Sequence, residues 1–222
     1  MFNSIIFLGR KNCKYSKEIY RFLKKNSKRV FYFESSKKTK KLNLKKNSKF
    51  DFLFSFRSYE IISKNVLNRI KYSSINFHPG PPNYRGIGCI NFAIFKNEKK
   101  YGVTAHIMDN LIDHGKILEI KRFQIKKKDN LNTLLIKTHK KLYELSISVI
   151  KKLIKNYDYY KSKKINIKWS KKLWTTKELL KLYELKITDS SDILKRKIKA
   201  TNHKIHKPYI NIDNFKFKLS ED

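Results

Sequence analysis

The sequence predicts an α/β fold: a doubly wound, mostly parallel sheet flanked by helices, with a small C-terminal helical and hairpin appendage. Three observations predict it. Short apolar runs bounded by turn residues alternate with stretches of helical periodicity from Ser4 to Asn156, the pattern of strands joined through helices. Five of the six glycines lie between Gly80 and Gly115, and three of the four prolines are Pro79, Pro81 and Pro82, a built loop following a predicted strand. Beyond Asn156 the pattern changes to a polar, tyrosine- and lysine-rich connection, two short helices and a terminal hairpin. The expected organisation is an α/β domain over residues 1–156 and an appendage over residues 157–222, too small to stand comfortably alone.

Ser4–Leu8 is an apolar run closed by Gly9, a buried strand followed by a turn. Ser16 is placed to cap a helix reaching Asn26, with Ile19, Phe22 and Leu23 on one face. Val30–Phe33 is a second strand, and the charged run Lys37–Lys49 a loop or short helix. Asp51–Phe56 is a third strand, and Ser63 caps an amphipathic stretch holding Val66, Leu67 and Ile70. Ile75–Phe77 is a fourth strand, Gly88–Phe95 a helix, Gly102–Met108 a strand and Ile117–Ile125 one more. Leu131–Ile154 carries a long helical pattern. Thr175–Leu182 and Ser190–Ala200 are short helices, and Tyr209–Leu219 alternates on both sides of Asp213-Asn214, a hairpin.

Composition narrows the function classes. No run of about 18 apolar residues exists, so no membrane span is expected. The N-terminal apolar stretch is too short for a secretory signal and reads as the first strand, so a cytoplasmic location is expected. Cys13 and Cys89 make neither a disulfide framework nor a metal-spaced cluster. The formal net charge is +35, yet only eight of 53 basic residues are arginine and the lysines spread along the whole chain. A nucleic-acid binder concentrates its charge in a stripe with arginine and aromatics, so a nucleic-acid partner is not favoured. Neither a G-x-G-x-x-G after the first strand nor a phosphate-binding P-loop occurs.

Chemistry-bearing residues cluster in one window. Asn76 and His78 are two apart on a strand and face the same side. Asn76 offers amide N–H groups to a developing oxyanion, and His78 exchanges protons near neutral pH. Asp113 sits on a later loop and could orient the imidazole or shuttle a proton. Both loops, after Phe77 and after Met108, leave from the carboxyl ends of strands, where open α/β sheets bind ligands. Together the three residues would suit acyl transfer to a nucleophile carried by the substrate. Each also has a structural alternative: a strand-end amide, a buried histidine, a turn-capping carboxylate. Cys89 reads as a core residue, His106 as a packed or hydrogen-bonded histidine, and His203 and His206 as loop residues lacking a third ligand, so no metal is expected.

The stretch NFHPGPPNYRG (residues 76–86) followed by GVTAHIMDNLIDHGKIL (residues 102–118) resembles the N10-formyltetrahydrofolate-dependent formyltransferases. That family includes methionyl-tRNA, glycinamide ribonucleotide and sugar N-formyltransferases. Its pattern is Asn-x-His-Pro, Tyr/Phe-Arg-Gly, Gly-Val-Thr-x-His-x-Met and Asp-x-Gly-x-Ile, and all four pieces occur here in order. The resemblance implies a Rossmann-like formyltransferase domain in which Asn76, His78 and Asp113 are catalytic. N10-formyltetrahydrofolate is the implied formyl donor, with Phe54, Ser55, Phe56, Arg57, Ser58 and Ile62 in a pterin-facing segment and Asp109, Ile112, His114 and Gly115 in a loop over the same ring. Gly80, Pro81, Pro82, Tyr84, Arg85 and Gly86 are implied to face the acceptor. The sequence departs from the family where Gly80–Pro82 replaces Ser-Leu-Leu-Pro and where His114 stands in place of threonine. The favoured acceptor is the amine of a nucleotide-linked amino sugar. A methionyl-tRNA or glycinamide ribonucleotide acceptor, a formyltetrahydrofolate hydrolase and an inactive folate- or RNA-binding protein are the alternatives, and a homodimer stays open.

Overall fold

The computed structural model describes residues 1–36, 42–44, 48–163 and 165–220, so most of the charged run from Lys37 lies outside the described residues. In chain order the elements begin β1 (Phe2–Arg10), α1 (Lys14–Lys25), β2 (Ser27–Ser35), β3 (Phe50–Phe56), α2 (Lys64–Leu67) and β4 (Ile70–His78). They continue β5 (Arg85–Gly86), α3 (Cys89–Phe95), β6 (Lys100–Ile107), β7 (Ile117–Gln124) and α4 (Leu131–Lys155). The last are β8 (Leu173–Trp174), α5 (Thr176–Tyr183), β9 (Glu184–Leu185), α6 (Ser191–Thr201), β10 (Tyr209–Ile212) and β11 (Phe215–Lys218). The chain forms two compact units, one of residues 1–79, 103–121 and 139–168, the other of residues 80–102, 122–138 and 169–222.

The first unit is built on a mixed sheet of order β2-β1-β3-β4-β6-β7. β2, β1, β3 and β4 run parallel, while β6 runs antiparallel to β4. Every residue of β3 is buried, as its nearly unbroken apolar run requires of a central parallel strand. Phe2, Phe52, Phe54 and Phe77 are fully buried and their rings pack together, Phe54 on Phe77 at 6.3 Å between centroids. Burying each such side chain contributes about 1.5–3 kcal/mol. Asp51 of β3 is also buried, but its carboxylate accepts from the backbone N–H of Asn3 at 2.7 Å and of Ser4 at 3.3 Å, which offsets its desolvation. Across the opposite face, Ile6, Leu8, Leu53, Ile62 and Val66 make a second cluster.

Local signals set several boundaries and missed others. Ser63 caps α2 through its Oγ, as expected, but that helix is a single turn, and Ile70 opens β4 instead of extending it. Ser16 does not cap α1. Cys13 occupies that position without a side-chain cap, and Ser16, fully buried, accepts from the Arg10 N–H at 3.1 Å. A tertiary hydrogen bond thus outcompeted the local cap.

The second unit has its own core around Tyr84, Phe92, Tyr101, Leu134, Leu182 and Ala200. Cys89 belongs to this core, a buried thiol that donates to the Gly86 carbonyl at 3.3 Å, as its apolar context implied. Phe92 stacks on Trp174 with centroids 3.7 Å apart. β5 pairs with β8, and the αL glycine Gly86 is required there, because a Cβ would meet the Trp174 carbonyl oxygen at 2.2 Å. α5 starts with a full capping box between Thr175 and Glu178, and Ser190 caps α6. The expected hairpin is β10–β11, paired antiparallel, with β9 on its other side.

Candidate active site

The site grows out of the β4–β6 pair. Asn76 lies opposite His106 and His78 opposite Thr104, so these four residues share one face of the sheet. His78 and His106 are 3% and 2% exposed, and Asn76 is half-buried.

Because β6 runs antiparallel, its carboxyl end lies beside Ile75, not beside His78. The loop after Met108 therefore leaves three residues back along β4 from His78, which corrects the expectation that both loops leave one sheet edge. The loop doubles back instead. Asp109 accepts from the Leu111 N–H at 2.9 Å, an Asx turn, and its other oxygen lies 2.7 Å from His114 Nδ1. Burial would raise the Asp109 pKa, but these hydrogen bonds and the His114 charge outweigh it and hold the carboxylate below its ordinary range. Gly115 sits so close to β6 that a Cβ would meet the Ile107 carbonyl oxygen at 2.1 Å. Between these anchors Asp113 takes the left-handed conformation, φ +44°.

That turn delivers the Asp113 carboxylate, 8% exposed, into the cluster. Oδ2 lies 3.2 Å from His78 Nδ1, and Oδ1 lies 3.6 Å from His106 Nε2 and 3.5 Å from Asn76 Nδ2. His106 Nδ1 lies 2.8 Å from the Ile107 carbonyl oxygen, so this nitrogen carries the proton and donates. Nε2 is then the acceptor for Asn76 Nδ2 at 3.1 Å. The arrangement orients the Asn76 amide, keeps a carboxylate against one nitrogen of His78, and aims both residues from a rigid sheet. Chemically it can donate hydrogen bonds to an oxyanion and move a proton through an imidazole paired with a carboxylate.

Asn76, His78 and Asp113 are thus brought together. His106, expected to be packed or hydrogen-bonded, is both buried and hydrogen-bonded, and its partners include Asn76. The signal available was parity: Thr104 and His106 are two apart on a strand that carries a polar pair inside an apolar run. In the segment expected to face the pterin, Phe54, Ser55, Phe56 and Ile62 are buried in the unit's interior, Ser58 Oγ donates to Ser35 Oγ at 2.9 Å, and Arg57 is half-buried. Ile112 and its neighbour Leu111 are exposed at 49% and 53%, an apolar loop tip.

Gly80, Pro81, Pro82, Tyr84, Arg85 and Gly86 belong to the second unit. There Gly80, Pro81, Pro82 and Tyr84 are buried, Tyr84 Oη donates to Glu98 at 2.8 Å, and Arg85 Nη1 donates to the Ser170 carbonyl at 3.1 Å. His203 and His206 stack at 6.2 Å, and among the described residues no His, Cys, Asp or Glu group is arranged to hold a metal ion. Among the described residues no helix is long and apolar enough to cross a membrane.

Residues 46–150, which contain Asn76, His78, His106 and Asp113, match the family described as formyl transferase. The methionyl-tRNA formyltransferase of Wolbachia pipientis subsp. Culex pipiens (strain wPip) is 31% identical over 160 residues, covering 72% of this chain and 50% of that protein. The chain therefore spans about half the length of that relative. A sugar N-formyltransferase from Shewanella sp FDAARGOS_354 shares the fold at TM-score 0.79 and 18% identity, over 98% of this chain and 96% of that one. The Helicobacter canadensis N-formyltransferase, solved in complex with folinic acid and dTDP-3-aminofucose, matches at TM-score 0.71 and 20% identity, over 96% of this chain and 85% of that one.

Proposed function

The chain is a member of the formyl transferase family through residues 46–150, and on that premise we propose that it transfers a formyl group from N10-formyltetrahydrofolate to a primary amine, that of a nucleotide-linked amino sugar. The observation that carries the chemistry is the buried contact of His78 with Asp113, beside an Asn76 amide oriented by His106. The donor, a substrate here, supplies an electrophilic formyl carbon. The amine nitrogen bonds to that carbon, and the bond to N10 of the folate breaks. His78, held at Nδ1 by Asp113, takes up the proton that the attacking amine loses and passes it to the departing nitrogen. Asn76 turns one N–H toward the formyl oxygen as it gains charge, since its contact with Asp113 at 3.5 Å is long and easily exchanged. No nucleophile from the protein is required. The apolar tip at Leu111 and Ile112 suits covering a flat folate ring, and the Asp109–His114 pair fixes its base.

The end-to-end fold correspondence with sugar N-formyltransferases supports the amino-sugar acceptor. A methionyl-tRNA acceptor is the second reading, favoured by the 31% identical relative and the net charge of +35. Both are tested by following tetrahydrofolate release from N10-formyltetrahydrofolate with a panel of nucleotide-linked amino sugars, glycinamide ribonucleotide and methionyl-tRNA. Release that needs an amino sugar and vanishes in His78→Ala supports the first reading, and release that needs methionyl-tRNA replaces it with the second. Release without any amine makes the protein a hydrolase.

A further inference from the structure

We propose that Arg57 and Arg10 form a subsite for an oxyanion, a phosphate or carboxylate group carried by one of the two substrates, on the same sheet edge as His78. This rests on the formyl-transfer reading and names a substrate feature that the three clustered residues do not recognise.

The two arginines lie side by side. Arg10 ends β1 and Arg57 directly follows β3, and these parallel strands place Gly9 opposite Phe56, so Arg10 and Arg57 come next in register. On the other side of β3, Phe56 lies opposite Phe77, so Arg57 also comes next to His78. With strands about 4.8 Å apart, the backbones of Arg57 and Arg10 stand one and two strand spacings from that of His78. This is the carboxyl edge of the parallel strands, where such sheets take ligands.

Neither guanidinium has a carboxylate partner among the described residues. Arg57 is half-buried, and its Nη1 lies 3.5 Å from the thiol of Cys13, a weak acceptor. Arg10 donates to the Tyr59 hydroxyl and lies 4.4 Å above that ring. The two repel each other, and burial followed by the Arg10 charge lowers the Arg57 pKa. Arg57 also adopts φ +53°, a conformation that a bulky side chain resists. Desolvation without a counter-ion, like-charge repulsion and backbone strain all fall on one residue. An oxyanion between the two guanidinium forks removes the first two costs, and the fork geometry matches phosphate and carboxylate oxygens.

The test is calorimetric titration at fixed ionic strength with inorganic pyrophosphate and, separately, glutarate. The proteins are the full chain, Arg57→Gly, Arg10→Gln, and a double variant Lys151→Gln/Lys155→Gln that removes two exposed lysines of α4. Glycine suits φ +53°, so Arg57→Gly removes the charge while relieving strain and keeps its melting temperature or raises it. The expected result is one site in the full chain, weakened at least about tenfold in both arginine variants and unchanged in the lysine variant. Stronger pyrophosphate binding assigns the subsite to a phosphorylated acceptor, and stronger glutarate binding assigns it to the glutamyl end of the donor. No binding in the full chain, binding unaffected by Arg57→Gly, or equal loss in the lysine variant overturns the proposal. Because neither formyl donor nor amine is present, this outcome is independent of whether formyl transfer itself is observed.

Discussion

His78 Nδ1 and Asp113 Oδ2 stand 3.2 Å apart in a site where both side chains are less than a tenth exposed. A buried carboxylate against one ring nitrogen fixes the orientation of the imidazole and favours its charged form when it takes a proton from the substrate. His78→Ala is therefore expected to lower kcat/KM for formyl transfer by about 10²–10⁴. Asp113→Asn keeps the shape but not the charge and should lose about 10²-fold or more in kcat with little change in either KM. Steady-state kinetics on variants with unchanged circular dichroism check both.

His106 acts through Asn76. His106→Ala removes the acceptor that orients the Asn76 amide, so kcat should fall about tenfold, roughly 1.4 kcal/mol of transition-state stabilisation, while KM for donor and acceptor holds. An equal rise in KM with unchanged kcat would show that His106 serves binding and not orientation.

Gly115 holds the loop that carries Asp113. In Gly115→Ala the new methyl meets the Ile107 carbonyl oxygen at 2.1 Å, so the backbone must shift. The expected cost is about 1–3 kcal/mol of stability together with a large loss of activity, read from urea unfolding and the transfer assay on the same preparation.

His139 gives the protein an acid-sensitive element. Burial, then the charges of Arg57 and Arg10, lower its pKa from 6.5 to about 3. Below pH 6.5 the unfolded chain binds a proton that the folded chain refuses, so this group lowers stability progressively as pH falls from 6.5 toward 3. His139→Gln should flatten that part of the profile. Urea midpoints at about pH 7 and about pH 4.5 in both proteins check it; an identical drop in the variant would assign the acid limb to other groups.

Local chemistry made much of this protein legible. Period-two alternation put Asn76 and His78 on one face, the apolar run of Asp51–Phe56 announced a strand, and Ser63, Thr175 and Ser190 marked helix starts, which they cap through their own hydroxyls. Those signals act over a few residues, so a sequence carries them openly. Ser16 shows where they stop: its hydroxyl serves the Arg10 amide of β1, and a capping motif cannot reveal that competitor. Tertiary structure alone decided the direction of β6. Antiparallel pairing set His106 opposite Asn76, moved the carboxyl end of β6 away from His78, and made the following loop double back through the close approach of Gly115 and the left-handed Asp113. It also set Arg10 beside Arg57, residues 47 apart in the chain. Strand direction and register are fixed by the burial of whole faces against distant segments, and no short stretch of sequence encodes them.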